Sequence, residues 1–188
     1  MKKFIALAAA TIVMQCVWAQ NEKSSDRVFK KFKTDVSLGY AIPQGSGSQT
    51  GTKGGVLFAI EPKYAILDAL SVGLRMEAAV TANIDVNGKN GSAKANASYL
   101  LTSDYYFTSN KFRPFGGVGG GMFTTAKIDE TTVNNASGTI PSSSKFGFMA
   151  RAGFELGHLR MGAEYNFVAD KAGYLGIKLG VCIGGGRK

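Results

Sequence analysis

The sequence predicts an all-β protein, an eight-stranded antiparallel up-and-down transmembrane β-barrel. Three observations carry that expectation. From Phe32 onward apolar residues recur with period two, the spacing of a strand's alternate faces. Along all eight segments the apolar face holds no charged residue, while the opposite face holds eleven. Short and long connections also alternate, as they do when each strand pairs with the next.

The residues before this pattern read as a leader. Met1-Lys2-Lys3 is a basic start, Phe4 to Val17 is an apolar run of 14 residues, and Val17-Trp18-Ala19 fits a cleavage site before Gln20. Fourteen residues fall short of the ~20 that a spanning helix needs, so the run reads as a signal peptide. Cys16 raises a lipoprotein anchor, but Val13-Met14-Gln15 lacks the small residue that should precede such a cysteine. The expected division is a cleaved signal peptide over 1–19, a short periplasmic segment over 20–31 and a barrel domain over 32–188.

The strands follow in order. Val36, Leu38, Tyr40 and Ile42 alternate with Asp35, Ser37, Gly39 and Ala41; Val56, Phe58, Ile60 and Tyr64 alternate with Leu57, Ala59, Glu61 and Lys63. The third strand sets Leu70 to Val80 against Ser71, Gly73, Arg75, Glu77 and Thr81. The fourth sets Tyr99, Leu101, Tyr105 and Phe107 against Ser98, Thr102 and Asp104. A glycine-rich fifth carries Val118 and Met122 opposite Gly117, Gly119 and Gly121. The last three place Arg151 and Glu155, then Arg160 and Glu164, then Lys178, opposite apolar partners. Short turns at 65–69, 108–111 and 157–158 separate longer polar stretches at 43–53, 85–94 and 124–144, the last a long surface loop; the connection near 169–172 is brief. Leu156 and Leu159 flank Gly157-His158 on one face, as a two-residue hairpin requires.

Alternation alone does not say which face looks inward. A soluble lipocalin-like barrel would turn its apolar face in, whereas a membrane barrel turns it out to lipid. The charged set is nearly balanced: Asp35, Glu61, Glu77, Asp104, Glu155 and Glu164 against Lys63, Arg75, Arg151, Arg160 and Lys178. Balance is what a closed polar interior demands, because an unpaired buried charge is costly. The strand glycines share that face, where a narrow barrel needs small neighbours beside long side chains. Tyr40, Tyr64, Tyr105, Phe107, Phe112, Phe146, Tyr165 and Phe167 lie near strand ends, where aromatic girdles meet head groups. The apolar face therefore points to lipid.

The formal charge is +9, with 22 Lys and Arg against 13 Asp and Glu, which first suggests a nucleic-acid partner. The distribution argues against one. Two units leave with Lys2 and Lys3, and the periplasmic end collects Lys23, Arg27, Lys30, Lys31, Lys33, Lys111, Arg113, Arg187 and Lys188 against Glu22, Asp26 and Asp68. Anionic head groups fit this excess better than nucleic acid does.

Little in the sequence points to chemistry. Two Cys and one His exclude a disulfide scaffold and the common four-ligand zinc sites. Gly116 to Gly121 resembles a phosphate loop, but Met122 occupies the third glycine position. His158 falls in a turn at the periplasmic end, and Cys182 is a lone interior thiol. No catalytic, cofactor-binding or metal-binding set emerges, and no cofactor is expected. The eleven interior charges form the one candidate site, a structural network.

Particular stretches carry a family resemblance: Tyr64 to Arg75, Asp104-Tyr-Tyr-Phe107, Lys111 to Gly121, and Gly176 to Lys188 with its Gly-Gly-Gly-Arg-Lys end. They resemble the small eight-stranded outer-membrane barrels such as OmpX and the transmembrane domain of OmpA, and more closely the outer-membrane barrels of Bacteroidota. The resemblance implies a monomer in the cell outer membrane, with membrane lipids and the barrel-assembly machinery as partners and loops of unknown ligand. It implies a non-enzymatic barrel with a filled polar interior, a scaffold or loop-displaying protein. A small porin or ligand-transport barrel is the alternative, motivated by the glycine-rich fifth strand; a lipid- or protein-cleaving outer-membrane enzyme is a more distant one.

Overall fold

The computed structural model describes residues 28–43, 52–84, 91–128, 142–169 and 173–185. The expected leader over 1–19, most of the segment 20–31, and Arg187 with Lys188 lie outside these residues. Eight strands form a closed antiparallel barrel in sequence order: β1 (Phe32–Pro43), β2 (Thr52–Ala65), β3 (Leu70–Ile84), β4 (Gly91–Tyr106), β5 (Phe112–Ile128), β6 (Ser142–Leu156), β7 (Leu159–Val168) and β8 (Tyr174–Gly184). Closure comes from β1 against β8, with Asp35 opposite Cys182 and Tyr40 opposite Ile177. No sheet edge remains for another chain to extend.

The pleat sorts the side chains as the two-residue period requires, but the faces invert the rule for a soluble protein. Leu101 is 70% exposed and Phe107 65%, whereas Arg75 is fully buried and Lys63 is 2% exposed. An outer surface this apolar is stable only when lipid covers it, and a backbone in lipid must be helical or closed.

The three short connections, β2–β3, β4–β5 and β6–β7, share one end of the barrel with the start of β1 and the end of β8. We call this the turn end and the opposite one the loop end. The tightest connection pairs Leu156 with Leu159, and Gly157 takes a φ of 62°, which glycine reaches without steric cost.

At the loop end the strands run further than the apolar alternation does. β4 starts at Gly91, β5 continues to Ile128 and β6 begins at Ser142, so the polar stretches expected as loops over 85–94 and 124–144 are partly strand. Thr124 faces Ser144 across the β5–β6 ladder, with hydroxyls 2.8 Å apart, and Thr125 donates to Asn96 at 2.7 Å. Backbone pairing needs no apolar face, so the ladder outlasts the hydrophobic signal.

Candidate functional site

The barrel interior gathers all eleven charged residues that the strand period placed on one face, and it sorts them into two clusters. The first is built around Asp104 on β4. Its carboxylate accepts from Lys63 at 2.6 Å, Arg151 Nε at 2.7 Å and Arg160 Nη2 at 2.8 Å. Arg151 then holds Glu61 with both terminal nitrogens, at 2.7 and 2.6 Å, and Glu61 also accepts from the Thr102 hydroxyl. Asp35 faces Lys63 as an ion pair at 2.6 Å without hydrogen-bond alignment, with Arg160 Nε at 3.5 Å. Glu155 accepts from Lys33, Arg160 and the Tyr106 hydroxyl, and the Arg160 guanidinium lies 3.6 Å from the Phe115 ring centroid. With Arg113 Nη1 3.8 Å from Glu155, five cations meet four carboxylates here.

The second cluster joins β3 to β7 and β8. Arg75 donates to Glu164 at 2.7 Å and also to Glu77; Lys178 pairs with Glu164 at 2.6 Å and Glu77 at 2.9 Å. Tyr174 donates its hydroxyl to Glu77, and Asn166 donates to Glu164 at 3.2 Å. Two cations meet two carboxylates, and among the described residues no ion pair links this cluster to the first. The second cluster is neutral by itself, and the first is balanced but for Arg113 at its turn-end margin. That is the arrangement expected where charge is removed from water, because removing one partner would strand another.

Glycines make these approaches possible. A Cβ on Gly117 would run into Asp104 Oδ1 and lie 2.8 Å from the Ser103 carbonyl and 3.2 Å from Arg151 Nε. On Gly73 it would lie 2.8 Å from Lys63 Cγ. The room that the β5 glycines leave is therefore occupied: Gly119 faces Met149 Cε, and Gly121 abuts the Tyr99 carbonyl.

Two findings amend the sequence reading. First, Lys33 and Arg113, expected among the surface charges of the periplasmic end, turn inward and are 8% exposed. Lys33 bonds Tyr106 at 2.6 Å as well as Glu155, while Arg113 donates to the Asp68 carbonyl at 2.7 Å and lies between the rings of Phe29 (3.9 Å) and Tyr106 (4.0 Å). Both occupy the inward register of their strands, so parity could have found them. Second, the interior is polar over only part of its length. Ala41, Leu57, Ala79, Leu100, Phe123 and Met149 pack into a buried apolar layer with Tyr174, on the loop side of the charges in each strand. A cavity of about 30 Å³ touches both clusters, at Asp35, Glu61, Arg151, Glu164 and Lys178, with room for about two waters.

The remaining candidates hold little chemistry. Asp35, Glu155 and Cys182 bring donor atoms within 4.8 Å of one another. Ammonium and guanidinium groups already neutralise both carboxylates, so electrostatics oppose a metal cation there. His158 is exposed in its turn, and its ring makes no hydrogen bond among the described residues; only its carbonyl does, accepting from the Cys182 amide at 2.7 Å.

A closed eight-stranded barrel with an apolar exterior and an ion-paired interior matches one family over residues 4–181, the outer membrane protein beta-barrel domain. The chain belongs to this family. Among solved structures it is similar to the Neisserial surface protein A, with 16% identity, 83% of this chain and 98% of that one covered, and a TM-score of 0.57. It is also similar to Ail, the attachment invasion locus protein of Yersinia pestis, solved in complex with the heparin analogue sucrose octasulfate. There the identity is 15%, the coverage 85% of this chain and 100% of that one, and the TM-score 0.51. The outer membrane enzyme PagL aligns more loosely, at 15% identity over 80% of this chain and 98% of that one, with a TM-score of 0.42. At these identities the likeness is one of fold. No curated protein matches the chain in sequence.

Proposed function

We propose that this member of the outer-membrane barrel family is non-enzymatic, and that it serves as a membrane scaffold whose loop end is displayed to the exterior. The filling of the lumen carries this reading. Two ion clusters, an apolar layer toward the loop end and the Phe29–Arg113–Tyr106 stack toward the turn end occupy the lumen, with a gap of about 30 Å³ where the two clusters meet. An eight-stranded barrel is just wide enough for its own side chains to fill. The porin alternative rested on space beside the β5 glycines, and neighbouring atoms take up that space. Purified protein reconstituted in a planar bilayer is expected to give no sustained conductance above the bare membrane. Steady open channels would overturn the scaffold reading.

A further inference from the structure

Ahead of β1, the chain over 28–31 is drawn across the turn end like a strap. The Val28 and Phe29 amides donate to the two carboxylate oxygens of Asp68, at 2.9 and 3.3 Å, and the Ala65 amide donates to the Lys31 carbonyl at 2.7 Å. Phe29 turns in beneath Arg113 and is 8% exposed. Fixing Phe29 inward leaves Lys30 and Lys31 exposed beside it, and Lys111 is exposed in the β4–β5 turn.

Among the described residues these three lysines stand unopposed. Asp68 is the one carboxylate in the turn-end connections, and the strap amides occupy its oxygens. Among the described residues Lys33 and Arg113 also lie at this end, and they are used in the interior. Among the described residues Lys30, Lys31 and Lys111 make no ion pair. The aromatic side chains of Phe32, Tyr64, Tyr105, Phe107 and Phe112 sit on the outer face near this rim, 48–65% exposed, where such rings mark the head-group level of a bilayer. The lysines therefore lie at the depth of lipid phosphates.

We propose that Lys30, Lys31 and Lys111 form a docking rim for anionic phospholipid head groups in the leaflet at the turn end, with the Asp68-held strap presenting two of the three. The inference rests on the membrane reading above. It also explains why a carboxylate at this end binds backbone amides and not lysines: the tether forms without neutralising the rim.

The test uses the full chain in phosphatidylcholine nanodiscs containing phosphatidylglycerol, with spin-labelled versions of both lipids as probes. At low salt the protein should immobilise phosphatidylglycerol about threefold or more over phosphatidylcholine, and 1 M salt should remove the preference. The K30A/K31A/K111A variant should immobilise both lipids equally while keeping the same total of immobilised lipid. An undiminished preference in that variant overturns the proposal, as does a salt-insensitive preference in the unsubstituted protein. Failure of either protein to immobilise any lipid would instead strike at the membrane reading. Asp68→Asn, which weakens the strap's acceptor, should give an intermediate preference; a preference equal to that of the unsubstituted protein would overturn the role given to the strap.

Discussion

Arg151 and Glu61, 90 residues apart in sequence, meet across the lumen in a two-pronged bond of 2.7 and 2.6 Å. The planar guanidinium presents its nitrogens in the spacing of a carboxylate, so the pair is directional as well as attractive. Arg151 uses its third nitrogen on Asp104 and thereby ties β2, β4 and β6 together.

Replacing Arg151 with Met should therefore cost about 3–5 kcal/mol, the loss expected when a buried pair is broken and its carboxylate left behind. Urea titration of the protein folded into vesicles would measure it. Adding Glu61→Gln should recover part of that loss. A double variant as unstable as the sum of the two single ones would show that the pair is not coupled.

Gly117 and Gly116 are neighbours on opposite faces, and they should respond oppositely to alanine. At Gly117 the new methyl meets Asp104 and a backbone carbonyl, which should destabilise by about 1–3 kcal/mol. At Gly116 the nearest atom is Phe107 Cζ at 3.7 Å, so alanine should be neutral or stabilise by up to about 1 kcal/mol. Heat-induced gel mobility shifts of the two variants would rank them.

Leu101→Arg tests which side faces lipid. On a solvated surface this substitution of a 70% exposed residue would be nearly neutral, whereas near the middle of a bilayer it should cost about 2–4 kcal/mol. Equal folding of the variant and the parent in vesicles would place Leu101 outside the hydrocarbon.

Cys182 offers a check on closure. It is 4% exposed on the inner face of β8, opposite Asp35 on β1. In a Cys16→Ser background a maleimide should leave the folded protein unlabelled and react fully once urea unfolds it. Rapid labelling of the folded form would indicate an open β1–β8 seam.

The fold was legible because lipid on one side and ion pairs on the other leave a clean two-residue period, strong enough to place Asp35, Glu61, Arg75 and Lys178 on one face. The ends of the strands were less so. Above the apolar band both faces of β4, β5 and β6 are mostly Ser, Thr, Asn, Ala and Lys, and the ladder from Ala95 to Ala126 to Ser142 leaves no trace in hydropathy. Lys33 and Arg113 were misplaced because a cation near a strand end looks like a rim charge until parity is followed past the last apolar neighbour. The apolar layer was hidden for another reason. In Tyr99-Leu100-Leu101 successive leucines serve opposite faces, one in the lumen and fully buried, the other against lipid. Parity separates them, but hydropathy does not. Which carboxylate meets which cation depends on barrel stagger, which no single strand encodes.

The ion clusters also constrain how the barrel reaches its membrane. Arg75 on β3 pairs with Glu164 on β7, and Arg160 on β7 completes the shells around Asp104 and Glu155. A sheet halted before β7 would carry these groups on an open concave surface with partners missing, and hydrocarbon would reject it. Water can hold such an intermediate; lipid cannot. Commitment to the bilayer is therefore expected to follow the arrival of the final hairpin, with the side chains that block the lumen acting as the check on insertion.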